Sequence, residues 1–123
     1  MTSKPKYAEI WLVDFEPQLG AEILKTRPAV VVSIDAFGVL PTRVVIPIRE
    51  YKAHHDEMLC YVPISPNKLN GLDKESTIDC SQIKSFDIQR FRKRLGKLSK
   101  EETEELILIL TRCFGYTAHN LQK

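Results

Sequence analysis

The stretch Lys25-Thr26-Arg27-Pro28-Ala29-Val30-Val31-Val32-Ser33 sets one arginine at the mouth of a β-branched run. A guanidinium there stays charged and holds its donors in a rigid fork, a shape suited to phosphate. The competing reading is a surface arginine paired with Glu22 or Asp35. The loop His54-His55-Asp56-Glu57 offers general acid-base groups, because histidine titrates near neutrality. It also offers a metal site at His54, His55 and Asp56, although neighbours on an extended chain point opposite ways. Its plainer reading is a solvated loop. The run Lys84, Arg90, Arg92, Lys93, Arg94 and Lys97 is either a phosphate track or one solvated face of a strand.

These residues need elements to position them. Residues 9–15 alternate and carry Ile, Trp, Val and Phe, which predicts a strand. Trp11 and Phe15 in it read as core or subunit interface. Glu16-Pro17-Gln18-Leu19-Gly20 is a break, and residues 29–33 read as a strand buried on both faces. Phe37, in the loop after it, is a candidate for stacking on a base. Residues 42–49 are a third strand, which Pro47 is expected to end, bulge or confine to an edge.

Residues 58–64, 76–80 and 82–86 read as further strands, with one helical turn at 87–90. A basic extended piece follows at 91–97. Ser99 with Glu102 forms a capping box. Leu106, Ile109, Leu110, Cys113 and Phe114 then recur as the core stripe of a helix, which Gly115 ends. Many short strands followed by one amphipathic helix predict a small, strongly bent antiparallel barrel with the helix packed on it.

A length of 123 residues fits one domain, residues 1–123, with enough apolar residues for a core without metal or disulfide staples. The net charge of +2 neither requires nor opposes a nucleic-acid partner. Cys60, Cys80 and Cys113 lie far apart in sequence without a CxxC pair, so they read as buried or idle thiols of a reducing compartment. The N-terminus shows no signal peptide and no apolar run is long enough for a membrane span, so the chain reads as soluble and cytoplasmic.

Gly20-x-Glu22-x-x-Lys25-x-Arg27-Pro28-Ala29-Val30-Val31, preceded by Trp11-Leu12-Val13-Asp14-Phe15-x-Pro17, resembles the signature of the MazF/PemK family of toxin endoribonucleases. The likeness continues through Leu40-Pro41-Thr42-Arg43-Val44-Val45-Ile46-Pro47-Ile48 and Asp79-Cys80-Ser81-Gln82-Ile83-Lys84-Ser85-Phe86-Asp87. It ends at Leu95-Gly96-Lys97-Leu98-Ser99 and spans residues 8–115 in order. Such agreement over several segments is more specific than one short motif.

The resemblance implies an SH3-like antiparallel β-barrel with a C-terminal helix, of the CcdB/PemK type. It implies a homodimer that cuts single-stranded RNA without a metal or other cofactor, through attack of a ribose 2′-OH on its own phosphate. DNA lacks that hydroxyl. It further implies a cognate antitoxin whose disordered segment folds into the RNA groove, and a DNA-binding complex with that antitoxin. Carried onto this chain, the catalytic positions are Arg27 and Arg49. Glu22, Lys25, Phe37, Thr42, His54, Gln82 and Lys84 line the RNA groove, and the loop from Glu16 to Lys25 gates it.

Arg49 stands where the family carries Thr or Ser. It either replaces the hydroxyl as a second phosphate clamp, with Glu50 or a histidine as base, or the register slips at Pro47 and brings Thr42 or Ser33 closer. Otherwise the chain is weak or inactive. The alternative function is therefore a non-catalytic binding module of the same fold, such as a topoisomerase poison or an inactive toxin homologue.

Overall fold

The computed structural model describes residues 4–15 and 26–116. Its strands are β1 (Glu9–Asp14), β2 (Thr26–Val31), β3 (Thr42–Glu50), β4 (Tyr61–Ile64), β5 (Ser76–Asp79), β6 (Lys84–Asp87) and β7 (Phe91–Lys97). One α-helix, α1 (Lys100–Cys113), follows them, and single 3-10 turns occupy Asp35–Phe37, Ala53–Glu57 and Ile88–Arg90. Every ladder is antiparallel, in the order β4-β5-β3-β2-β1-β7 with β6 paired to β3.

β3 is the hub of the sheet. One of its edges pairs with β2 from Val31↔Val45 to Ala29↔Pro47. The other pairs first with β6, from Thr42↔Asp87 to Val45↔Lys84, and then with β5, from Ile48↔Ile78 to Glu50↔Ser76. The change of partner falls at Ile46 and Pro47. Pro47 therefore neither ends the strand nor lies on a sheet edge: it is buried in mid-strand, where one ladder stops and the next begins. The register slip that would carry Thr42 or Ser33 toward Arg49 does not occur, and Ser33 Oγ instead accepts from Val44 N–H at 3.1 Å.

Alternation along the strands builds two apolar clusters. On one face Ile10, Val30, Ile46, Ile48, Ile64 and Ile78 pack with Leu98, Leu106 and Leu110 beneath α1. On the other, Trp11, Val13, Ala29, Val31, Val45 and Phe91 form a smaller cluster, with Trp11 edge-on to Phe91 at 6.0 Å. Ala29, Val30 and Val31 of β2 are buried on both faces, as predicted for residues 29–33, whereas Thr26 and Arg27 at its start are exposed. An antiparallel sheet followed by one C-terminal helix is the expected layout, but the sheet is open, since β4 and β7 end the path of pairings among the described residues.

The capping box of α1 is made in both directions. Ser99 Oγ accepts from Glu102 N–H at 3.1 Å, and Ser99 N–H donates to Glu102 Oε1 at 2.9 Å. Gly115, at φ 86°, closes the helix. The predicted core stripe stops a turn early: Leu106 and Leu110 are buried, whereas Phe114 is 74% exposed and Cys113 lies at the surface. The last turn of α1 overhangs a groove instead of the core.

Beside the sheet, Asn70 is fully buried. It holds its turn by accepting from Asn67 and Leu72 N–H and donating to the Ser65 carbonyl. β7 crosses this turn so closely that a Cβ on Gly96 would stand 2.2 Å from the Leu69 oxygen. That turn leads directly into Leu72-Asp73-Lys74.

Candidate active site

The β2–β3 ladder stops at Ala29↔Pro47, yet β2 begins at Thr26 and β3 runs on to Glu50. The two strand ends splay, and a cleft of about 260 Å³ opens between them. Thr26, Arg27 and Pro28 line one side, Ile48, Arg49 and Glu50 the other, and Leu72, Asp73, Lys74 and Ser76 close it. Extending the register by two rungs sets Arg27 opposite Arg49, on one face of the sheet. Two like charges so placed repel one another unless an anion lies between them.

Arg27 is exposed. Arg49 is held from the side: its Nη1 lies 3.6 Å from Asp79 Oδ2 and donates to Tyr61 Oη at 3.4 Å, and its guanidinium lies 5.8 Å from the Tyr61 ring centre. Asp79 is buried and accepts from Ser81 N–H at 3.0 Å, from the Ser81 hydroxyl at 2.5 Å and from Gln82 Nε2 at 3.0 Å. One carboxylate therefore orients both Arg49 and Gln82. Lys84 lies two residues further along the same edge, opposite Val45, and is exposed. Glu50 faces Lys74 at 3.6 Å.

The loop read as solvated is a 3-10 turn that buries His55 completely. Its Nδ1 accepts from Lys52 N–H at 3.1 Å and lies 2.8 Å from Thr77 Oγ1. An accepting Nδ1 puts the ring proton on Nε2, which has no partner. Burial lowers the pKa of His55, and the nearby charges of His54, Arg49 and Lys52 push the same way. His55 is thus a neutral structural histidine. His54 stays exposed, its ring 4.6 Å from that of His55, which in turn stands 4.7 Å from Tyr61. Among the described residues no three His, Cys, Asp or Glu side chains gather as a set able to hold a metal ion, so His54, His55 and Asp56 do not form one.

Of the sequence-predicted site residues, Arg27 and Arg49 line the cleft, Gln82 shares Asp79 with Arg49, Lys84 stands opposite Val45 of β3, and His54 lies against His55. Thr42 sits at the far end of β3, seven residues from Arg49 or roughly 23 Å along a strand, and Phe37 lies in the turn before it. Glu22, Lys25 and the gating loop from Glu16 to Lys25 lie outside the described residues. The basic run is tied down in part, with two of its six residues in ion pairs. Arg92 pairs with Asp14 at 3.0 Å and Arg94 with Glu9 at 2.8 Å, while Arg90 donates to the Asp14 carbonyl and lies over Phe86. Sequence reasoning missed Tyr61, Asp73, Lys74 and Ser76 and the orienting role of Asp79. No local motif marks them, because two separate strands and a turn supply them.

The family model for the PemK-like, MazF-like toxin of type II toxin-antitoxin systems matches residues 6–114. The chain belongs to this toxin family. A relative in Mycobacterium tuberculosis, Endoribonuclease MazF9, is 30% identical over 101 residues, covering 80% of this chain and 86% of the relative. Among solved structures, a MazE-MazF structure from Deinococcus radiodurans is similar with a TM-score of 0.75 at 22% identity, covering 94% of this chain and 100% of that one. An endoribonuclease in complex with its cognate antitoxin, from a mycobacterial species, gives 0.71 at 15% identity, covering 92% and 97%. At those identities the structures show a shared fold. The family match adds what kind of protein carries it. Among the described residues no helix is long and apolar enough to cross a membrane.

Proposed function

We propose that this MazF-family chain is a metal-independent endoribonuclease toxin that acts as a homodimer in the cytoplasm, with residues 1–123 as one toxin domain. Single-stranded RNA lies across the face that carries Arg27, Arg49, Gln82 and Lys84. The observation that carries this reading is the cleft between the ends of β2 and β3, which Arg27 and Arg49 line from opposite sides. A phosphodiester between them relieves their repulsion and becomes polarised by both.

The nucleophile belongs to the substrate, so the protein positions and stabilises. Glu50 takes the proton of the ribose 2′-OH, and the oxygen attacks the adjacent phosphorus. The bond to the 5′-oxygen breaks, that oxygen takes a proton from water, and the products are a cyclic phosphate and a 5′-OH end. His55 is too deeply buried to serve as the base. Lys74 closes the cleft and holds Glu50. A cognate antitoxin restrains the enzyme by occupying the same face, a reading supported by the antitoxin complexes of its structural relatives.

The test is cleavage of a long single-stranded RNA in EDTA with end-group analysis. Arg27→Ala should lower the rate by about 10²–10³-fold, the loss expected on removing one preorganised charge stabiliser. Glu50→Gln should lower the rate by about 10²–10⁴-fold, the loss expected on removing a general base. A second reading, a non-catalytic binder, is favoured by Arg49, which brings no hydroxyl to its position and is tied to Asp79. Folded, antitoxin-free protein that binds RNA and leaves it intact would decide for that reading.

A further inference from the structure

The three cysteines, far apart in sequence, converge on one groove. Cys60, Cys80 and Cys113 all line a depression of about 680 Å³ beneath the last turn of α1, walled by Met58, Leu59 and Phe114. Cys60 and Cys80 are closer still. The β4–β5 register runs Ile64↔Ser76 to Tyr61↔Asp79, and its next rung is Cys60 opposite Cys80. Cys80 N–H donates to the Cys60 carbonyl at 2.8 Å, one of the two bonds of such a rung, so the two strands stay adjacent there. Residues opposite one another in a hydrogen-bonded rung have Cα atoms about 5.5 Å apart, inside the roughly 4.4–6.8 Å span of a disulfide. Their Cβ atoms, about 4.5–5.5 Å apart in such a pair, need an approach of at most about an ångström.

We propose that Cys60 and Cys80 form a cross-strand dithiol that exchanges with low-molecular-weight disulfides entering through this groove. The Cys60 thiolate attacks one sulfur of the small disulfide, forms a mixed disulfide and releases one small thiolate. The Cys80 thiol gives up its proton and attacks the Cys60 sulfur. The mixed bond breaks, the second small thiolate leaves, and Cys60–Cys80 closes. Two protein thiols are oxidised and one small disulfide is reduced to two thiols.

Cys60 is half-buried at the groove wall and can meet such a molecule, whereas Cys80 is 2% exposed and reacts only with its neighbour. Burial pushes the Cys80 thiol up to about 12, which leaves little thiolate and makes the second step the slow one. The bridged rung adjoins Tyr61↔Asp79, the pair whose side chains hold Arg49. Oxidation on one face therefore acts on a strand pair that orients the opposite face.

The test titrates the full-length protein with glutathione disulfide, counts thiols after denaturation and maps the bonds by mass spectrometry. Each cysteine falls in its own tryptic peptide, residues 53–68, 75–84 and 113–123. Wild type should lose two of its three thiols and yield a cross-link between the first two peptides. C113S should keep that cross-link and C60S should lose it. If C80S does not fold, wild type with C60S and C113S still decides. Glutathione on Cys113 alone, a bridge through Cys113, or three thiols persisting in a native fold would each overturn the proposal. Thiol counts do not depend on RNA cleavage, so this result stands apart from the nuclease reading.

Discussion

Asp79 is the residue whose replacement most directly probes how the site is held. Its buried carboxylate accepts three hydrogen bonds and lies 3.6 Å from Arg49. A hydrogen bond to a charged acceptor contributes about 1.5–3 kcal/mol, but these bonds share one acceptor and are not additive. The donors Ser81 and Gln82 are exposed and can turn to water. The Arg49 side chain is 40% exposed, so solvent screening limits its own share to less than about 1 kcal/mol. Asp79→Ala should therefore cost about 2–4 kcal/mol of unfolding free energy.

Asp79→Asn keeps the oxygen that faces Ser81 and presents an amide to Gln82 and Arg49. Gln82 can flip its own amide to accept, whereas Arg49 has no acceptor to offer. The asparagine variant should lose about 1–2 kcal/mol. The assay is urea denaturation with the slope held constant between variants. In an Arg49→Ala background the Asp79→Asn cost should shrink by less than about 1 kcal/mol. A coupling above about 2 kcal/mol, or an asparagine as damaging as alanine, would refute this picture of a screened pair on a well-bonded carboxylate.

Two further perturbations test the framework. His55 has its pKa lowered from 6.5 in the fold, so the unfolded chain takes up a proton first as the solution is acidified. Its contribution is complete above the unfolded value and is lost as pH falls below it toward the folded value. Urea midpoints at about pH 7.5 and about pH 5.5 should differ less in His55→Gln than in wild type, and parallel behaviour would remove the assignment. Gly96→Ala drives a Cβ against the Leu69 and Asn70 backbone, at 2.2 and 2.6 Å, and should cost roughly 3 kcal/mol or more. Gly115→Ala has open space and only a left-handed φ against it, and should cost roughly 1 kcal/mol. Equal thermal shifts for the two glycine variants would contradict the close crossing of β7 over its turn.

Local physics was legible in the chain itself. Alternation placed β1, a β-branched run placed β2, and the Ser99–Glu102 pair marked the start of α1, because strand pleat and helix capping depend on near neighbours. The motif around Arg27 pointed to the toxin family, and the register carried Arg49 to the opposing strand. Other features depend on strands distant in sequence. Pro47 is tolerated in mid-strand because β3 changes partner there, which no window around Pro47 reveals. His55 looked solvated, yet Thr77 and Tyr61 arrive from other strands to bury it. Phe114 fits the helical stripe but falls beyond the edge of the sheet that α1 covers. Asp79 gained its role because Arg49 reaches it from across β3, and Cys60 met Cys80 because one antiparallel register sets them opposite. Residue type and spacing determined which elements form. Only their pairing across the sheet decided which side chains share a site, because that proximity is set by long-range registers and not by neighbours along the chain.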